Sequence, residues 1–139
     1  MRKIIAGFAV AMLVMFALTG CETDNKTLLT DGVWTFKNLT TDSQDETISG
    51  LITLAKILMT EATMEFQDGG TYIMDSPLAN EPTTGDWQLV GEDQLILEPD
   101  GEAVSTNNIE TLSKSELIYI ETFVDDQLNS YTVTTSWSR

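Results

Sequence analysis

Any chemistry in this chain falls to carboxylates. It has 22 aspartate and glutamate residues, a single cysteine and no histidine. Without histidine there is no side chain whose unperturbed pKa suits proton transfer near neutrality. The histidine-assisted nucleophiles and the usual zinc ligand sets go with it. Serine could act with lysine, but Ser113-Lys114-Ser115 reads as a turn and Lys56 has no serine at a telling spacing. A glycosidase needs two positioned carboxylates. Pairs such as Glu65 and Glu121 exist on paper, yet strand alternation is expected to turn most acids outward. Calcium is the one plausible metal, as a hard cation taking oxygen ligands. Asp42, Asp45 and Glu46 cluster together, and Glu92-Asp93 and Asp125-Asp126 occupy turns. None has the spacing of a calcium loop with its central glycine and distal glutamate, so solvated acidic turns are expected. No catalytic residue, metal site or cofactor is expected, and the chain does not read as an enzyme.

Binding is a better prospect. Trp34, Phe36, Phe66, Tyr72, Trp87, Tyr119, Phe123 and Trp137 are either core or pocket wall. Aromatic and methionine side chains suit apolar ligands. If a cavity exists, Met64, Phe66, Tyr72, Met74, Trp87 and Leu89 are expected to line it, because they alternate inward on neighbouring strands.

The lone cysteine has a different task. Arg2 and Lys3 precede an apolar run from Ile4 to Leu18, interrupted only by Gly7. The run is short for a membrane span and has the flanks of a signal peptide. Leu18-Thr19-Gly20-Cys21 closes it. That arrangement resembles the lipobox of bacterial lipoproteins. The resemblance implies a diacylglycerol thioether on Cys21, cleavage before it, and acylation of the new N-terminus by a palmitate-class chain. Two or three acyl chains hold firmly where one binds reversibly. An ordinary signal peptide cleaved nearby, or an N-terminal anchor helix, is the alternative. Residues 1–20 are then the signal peptide and 21–31 the lipidated cysteine with a polar tether, lacking periodicity to about Thr30. Glu22 beside the cysteine resembles an inner-membrane retention signal in some Gram-negative bacteria. An acidic patch there resembles a surface-export signal in Bacteroidetes-like ones. The outer membrane or cell surface is the expected location, ahead of the periplasmic face of the inner membrane.

Cut before Cys21, the chain keeps 119 residues, five of them basic against 22 acidic, a formal charge of −17. One domain of that size folds without disulfide or metal. Its charge repels nucleic acid and anionic lipid surfaces.

The elements that would position these residues are mostly strands. Val33 to Lys37 alternates, with Trp34 and Phe36 on one face; Asn38 to Asp42 leaves the strand. Ser43-Gln44-Asp45-Glu46 fits a capping box, with Ser43 as the cap. Ile48, Leu51, Ile52, Ala55, Leu58, Met59 and Ala62 follow at helical spacing. That helix is expected to pack on a sheet; plugging the open end of a barrel or lying on a membrane are the alternatives. From Ala62 the period is two. Asp68-Gly69-Gly70, Gly91-Glu92-Asp93, Pro99-Asp100-Gly101 and Asp125 to Asn129 are turns between strands. Ser130 to Trp137 closes the chain, with Tyr131, Val133, Thr135 and Trp137 on one face. The count is eight strands in a meander. Such a meander closes naturally into a small barrel, which removes both edges.

The order Gly32-Val33-Trp34-Thr35-Phe36, Met64 to Tyr72, Gly85-Asp86-Trp87-Gln88-Leu89, Gln94 to Leu97, Ile109 to Ser113 and Glu116-Leu117-Ile118 resembles the small lipocalin-like domains of Bacteroidetes-type lipoproteins. Gly32-Val33-Trp34 matches the Gly-x-Trp of lipocalins, whose tryptophan closes the base of the barrel. The helix after the first strand departs from the lipocalin pattern, which places one near the C-terminus. The resemblance implies an all-β fold over 32–139: an eight-stranded antiparallel lipocalin-like up-and-down barrel with one helix after the first strand. Two functions follow. One is a membrane-anchored envelope lipoprotein binding a small apolar or amphipathic molecule in the barrel. The other is a non-catalytic structural or protein-interaction lipoprotein with a filled barrel and an envelope protein partner.

Overall fold

The computed structural model describes residues 24–139. Cys21 and the segment before it lie outside the described residues. The chain order is α1 (Asn25–Thr30), β1 (Val33–Thr41), α2 (Glu46–Leu58), β2 (Thr63–Phe66), β3 (Thr71–Asp75), β4 (Thr83–Val90), β5 (Gln94–Pro99), β6 (Ser105–Leu112), β7 (Glu116–Val124) and β8 (Ser130–Ser138). The strands pair in sequence order, all antiparallel, and β8 pairs with β1 to close the barrel.

Period two explains which side chains fill it. Met64 and Phe66, Tyr72, Trp87, Leu95 and Leu97, Leu117 and Tyr119, and Val133 and Trp137 are buried at alternate positions of β2, β3, β4, β5, β7 and β8. Two strands break the alternation. The β1–β8 register shifts between Phe36 and Asn38, and the β6–β7 register shifts between Ile109 and Thr111. Each bulge inserts one residue, Lys37 or Glu110. Phe36 and Leu39, and likewise Ile109 and Leu112, therefore share the inner face although three positions apart. The first bulge also keeps Asn38–Thr41 in β1, where the sequence pattern implied departure from the strand.

The barrel has a closed base and an open mouth. At the base, Asn25–Thr30 is a helix, not an irregular tether. Asp24 caps it by accepting from the Lys26 and Thr27 backbone N–H groups, and Leu29 is fully buried. The run NKTLLT is too short to show helical periodicity, so a polar reading of it overlooked one apolar anchor. Trp34 is also fully buried; its indole N–H donates to the Leu29 carbonyl at 3.0 Å. The Arg139 guanidinium sits over the Trp34 ring, 4.1 Å from its centroid, which seals the base with a cation–π contact. Two ion pairs at this end, Lys26–Asp68 and Lys37–Glu116, are well exposed and add little.

At the mouth, α2 connects β1 to β2. Its N-cap is Asp45, which accepts from the Thr47 and Ile48 N–H groups at 2.8 and 3.3 Å. Ser43, the expected cap, instead accepts from the Asp45 N–H at 3.2 Å. The helix starts two residues later than the S-x-x-E pattern implied, because an aspartate nearer the helix outcompetes a serine for the same donors. Asp45→Ala is expected to cost about 1 kcal/mol in urea denaturation and Ser43→Ala clearly less. Equal losses would restore Ser43 as the cap.

Nor is α2 buried on the sheet. It has no buried residue. Ile48, Ile52, Ala55 and Met59 are half-buried toward the barrel, whereas Leu51, Leu54, Ile57 and Leu58 are exposed. At about 20 Å long, the helix starts beside the β7–β8 turn and ends against Met74 and the loop after β3. It borders the open end of the barrel. Among the described residues no helix is long and apolar enough to cross a membrane.

Candidate functional site

Side chains fill the lower half of the barrel. Phe66 meets the Trp87 ring edge-on at 5.6 Å, and Trp87 donates its indole N–H to the Gln67 carbonyl at 2.9 Å. Phe36 and Trp137 are likewise edge-to-face at 5.6 Å. Above this floor lies a cavity of about 370 Å³. That volume is at the small end of the range for ligand sites, roughly two and a half times what holds one benzene.

The wall has two halves. Met64 from β2, Tyr72 and Met74 from β3, Leu97 from β5 and Met59 just past α2 form an apolar half. Ser105 and Asn107 from β6, Tyr119 and Glu121 from β7, and Thr135 from β8 form a polar half, with Trp137 beneath. Glu102 and Thr83 stand at the rim. Strand register explains the polar half. Asn107 is paired with Leu95 on one side and with Glu121 on the other, and Glu121 with Val133. All occupy inward positions of consecutive strands.

The polar groups are organised. Asn107 is 1% exposed, and its amide nitrogen donates to the Ser105 hydroxyl at 2.9 Å and the Leu95 carbonyl at 3.3 Å. The Trp137 indole N–H donates to the Tyr119 hydroxyl at 3.1 Å. Burial pushes Tyr119 up to about 12, and burial with the nearby carboxylates of Glu102, Asp100 and Asp86 pushes Tyr72 up to about 12. Both phenols stay neutral across physiological pH. Glu121 is raised above the usual carboxylate range, chiefly because burial strips water from it; hydrogen bonding to Ser105 opposes this.

Of the six side chains expected to line a cavity, the structure brings Met64, Tyr72 and Met74 to it. Phe66 and Trp87 lie deeper, in the packed base. Leu89 is only partly buried and borders a surface groove with Lys26 and Gly69. The inward direction was right for all six, but alternation does not say how far down the barrel a residue sits. The polar half was missed. Glu121 is inward, contrary to the expectation that acids point out, because it shares parity with Leu117 and Tyr119. Leu117, Ile118, Tyr119 and Ile120 are apolar on both faces, which hid that parity.

The acidic turns have structural employment. Asp42 accepts from the Thr132 N–H at 2.6 Å, a bond that holds its carboxyl below the usual range. Asp45 caps α2, and Asp125 accepts from the Gln127 and Asn129 N–H groups at 2.9 and 2.8 Å.

No family model matches the chain, and no curated protein matches it. Solved structures do. Bovine odorant binding protein complexed with its natural ligand is 14% identical, over 86% of this chain and 76% of that one, with a TM-score of 0.51. The same bovine protein with a selenium-containing odorant is 16% identical, over 86% and 75%, with a TM-score of 0.52. A DUF4847 family protein from Bacteroides vulgatus is 12% identical, over 79% and 95%, with a TM-score of 0.49. At these identities the likeness is one of fold. The chain is an eight-stranded, closed antiparallel barrel of lipocalin-like architecture, with one helix after its first strand.

Proposed function

We propose that the chain is a non-catalytic envelope lipoprotein that holds a small apolar or amphipathic molecule in the mouth of its barrel. The observation that carries this reading is the 370 Å³ cavity, bounded by methionine and leucine on one side and hydrogen-bonding groups on the other. Methionines repack around ligands of irregular shape at little cost. The solved structures of bovine odorant binding protein, with the same architecture, are described as holding a ligand.

The anchor belongs to the same proposal. Leu18-Thr19-Gly20-Cys21 supports acylation at Cys21, in the outer membrane or at the cell surface. The described chain begins at the closed base, three residues beyond Cys21. A lipid at Cys21 would set the base toward the bilayer and turn the mouth away from it. The test is native mass spectrometry of the protein purified from membranes, beside a variant with Met74→Trp. A co-purified small molecule is expected on the wild type and absent from the variant. Equal occupancy of both, or none in either, rejects the cavity as the site. Cys21→Ala is expected to release the protein from the membrane fraction.

A second reading is favoured by the exposed Leu51, Leu54, Ile57 and Leu58 on α2, with Leu78 nearby at 61% exposure. Such a patch marks an interaction surface. In that reading an envelope protein covers the helix, and cross-linking from position 54 in intact cells captures it.

A further inference from the structure

The polar half of the cavity narrows the class of ligand. Resting on the cavity reading above, we propose that the preferred ligand is an amphiphile with a single protonated amine, its apolar body against Met59, Met64, Met74 and Leu97 and its ammonium group on the Glu121 carboxylate.

Three observations lead there. First, Glu121 points into the cavity from the middle of a strand, not from a loop, so its direction is set by the pleat. Second, among the described residues nothing cationic meets it. From β6 it faces Ser105 and Asn107, from β8 Val133 and Thr135, from its own strand Tyr119 and Phe123, and across the cavity Tyr72. Those groups are neutral, and the one other acid is Glu102 at the rim. The basic residues among those described are elsewhere. Lys26 and Lys37 pair with Asp68 and Glu116, Arg139 lies over Trp34 and donates to the Lys114 carbonyl, and Lys56 is exposed on α2. Third, Glu121 is desolvated without a counter-charge, and its carboxyl is raised accordingly. A carboxylate in that state gains most from a cation that brings its own donors. An anionic amphiphile meets the opposite case, since it would place a second negative charge beside Glu121 with no Lys or Arg among the described residues to offset it.

The apolar half argues against a bare metal ion as the occupant. Methionine thioethers and leucine offer nothing to a hard cation, and among the described residues no group of three or more metal-ligating acids forms. An elongated apolar body with one charged end fits both halves.

Three probes of equal length and different head groups separate the possibilities: n-octylammonium, n-octanol and octanoate. Binding to the full chain is followed by calorimetry. Octylammonium is expected to bind about tenfold more tightly than octanol, the worth of one charge-assisted hydrogen bond. Octanoate is expected to bind weakest. In Glu121→Gln the ammonium preference is expected to fall to within about threefold of octanol. Glu102→Gln, changed only at the rim, is expected to keep most of the preference. Lowering the pH through the titration of Glu121 is expected to remove the preference in the wild type but leave Glu121→Gln flat.

Glu121→Gln is also expected to melt no lower than the wild type at pH 7. A carboxylate whose pKa is raised by folding favours the native state only while protonated, and costs stability once pH exceeds its folded pKa. Equal binding of octanol and octylammonium, or a preference that survives in Glu121→Gln, overturns the amine assignment and leaves the cavity reading standing. Failure of all three probes overturns both.

Discussion

Trp34→Ala is expected to destabilise the barrel by about 3–5 kcal/mol, a large share of the ~5–15 kcal/mol that holds a domain of this size together. Trp34 is fully buried. Its removal leaves a ring-sized void that surrounding strands cannot close, because their register is fixed around the whole barrel. Two further contacts go with it. The Leu29 carbonyl loses its donor at 3.0 Å, and the Arg139 guanidinium loses the ring 4.1 Å away. The Arg139 Nη atoms are buried and have no hydrogen-bond partner among the described residues, so the ring face is what accompanies their charge. Trp34→Phe keeps a ring but not the N–H donor, and is expected to lose clearly less. Urea denaturation followed by far-UV circular dichroism measures both. Leu29→Ala combined with Trp34→Ala is expected to cost less than the sum of the single changes, since the two side chains share one seal. A loss below about 1 kcal/mol for Trp34→Ala would mean that the ring does not close the base.

Gly32-Val33-Trp34 was the part of the base legible in the chain, as a triplet that resembles lipocalins. Leu29 and Arg139 were not legible. One sits in a polar hexapeptide and the other at the last position, and neither belongs to a periodic segment that reports a face. The barrel itself was readable, because most of the eight segments carry period two and every turn but Ser113-Lys114-Ser115 carries glycine, proline or aspartate. Gly70, with φ +90°, fills a position in the β2–β3 turn that side chains rarely adopt. The bulges left a trace too. Phe36 and Leu39, or Ile109 and Leu112, are apolar at a spacing of three inside segments of period two, and one inserted residue reconciles them.

The cavity was legible only in part, for a different reason. Alternation separates inside from outside, but the depth of a residue depends on register between strands, which no single strand encodes. Met64 and Phe66 differ by one pleat, yet one lines the cavity and the other packs in the base. Glu121 shows the stronger limit. Rules that send charged residues outward describe cores, whereas Glu121 stands at an inward position of β7 and lines a cavity. The helix face is a similar case. Its stripe was found, but Leu51 and Leu58 belong to it and remain exposed, so amphipathic spacing alone did not decide what it packs against.

Gly85→Val is the second change with a large expected effect, about 3 kcal/mol, and it tests the wall of the cavity directly. Gly85 is buried on β4, between Tyr72 of β3 and Pro99 of β5 in register. A Cβ there would overlap the Glu98 carbonyl oxygen and come within 2.8 Å of both the Pro99 Cα and the Tyr72 Cε1. The Tyr72 ring occupies the space that a side chain at position 85 would need. A ring can pivot, but the backbone of Glu98 and Pro99 is held by the β4–β5 ladder and yields only if that strand moves. Because Tyr72 and Pro99 line the cavity, any accommodation also deforms it. Loss of ligand is therefore expected even in molecules that remain folded. Gly50→Ala supplies the contrast. A Cβ at Gly50 meets nothing within 4 Å, and the residue lies inside α2. There the added methyl is expected to stabilise by ~0.5–1 kcal/mol through helix propensity. Urea denaturation of the two variants, with co-purified ligand measured by native mass spectrometry, should give opposite signs of stability change and a loss of ligand at position 85 alone. A neutral Gly85→Val would mean that β4 and β5 can separate at the mouth, and that the wall beside Tyr72 is not the rigid surface on which the ligand reading rests.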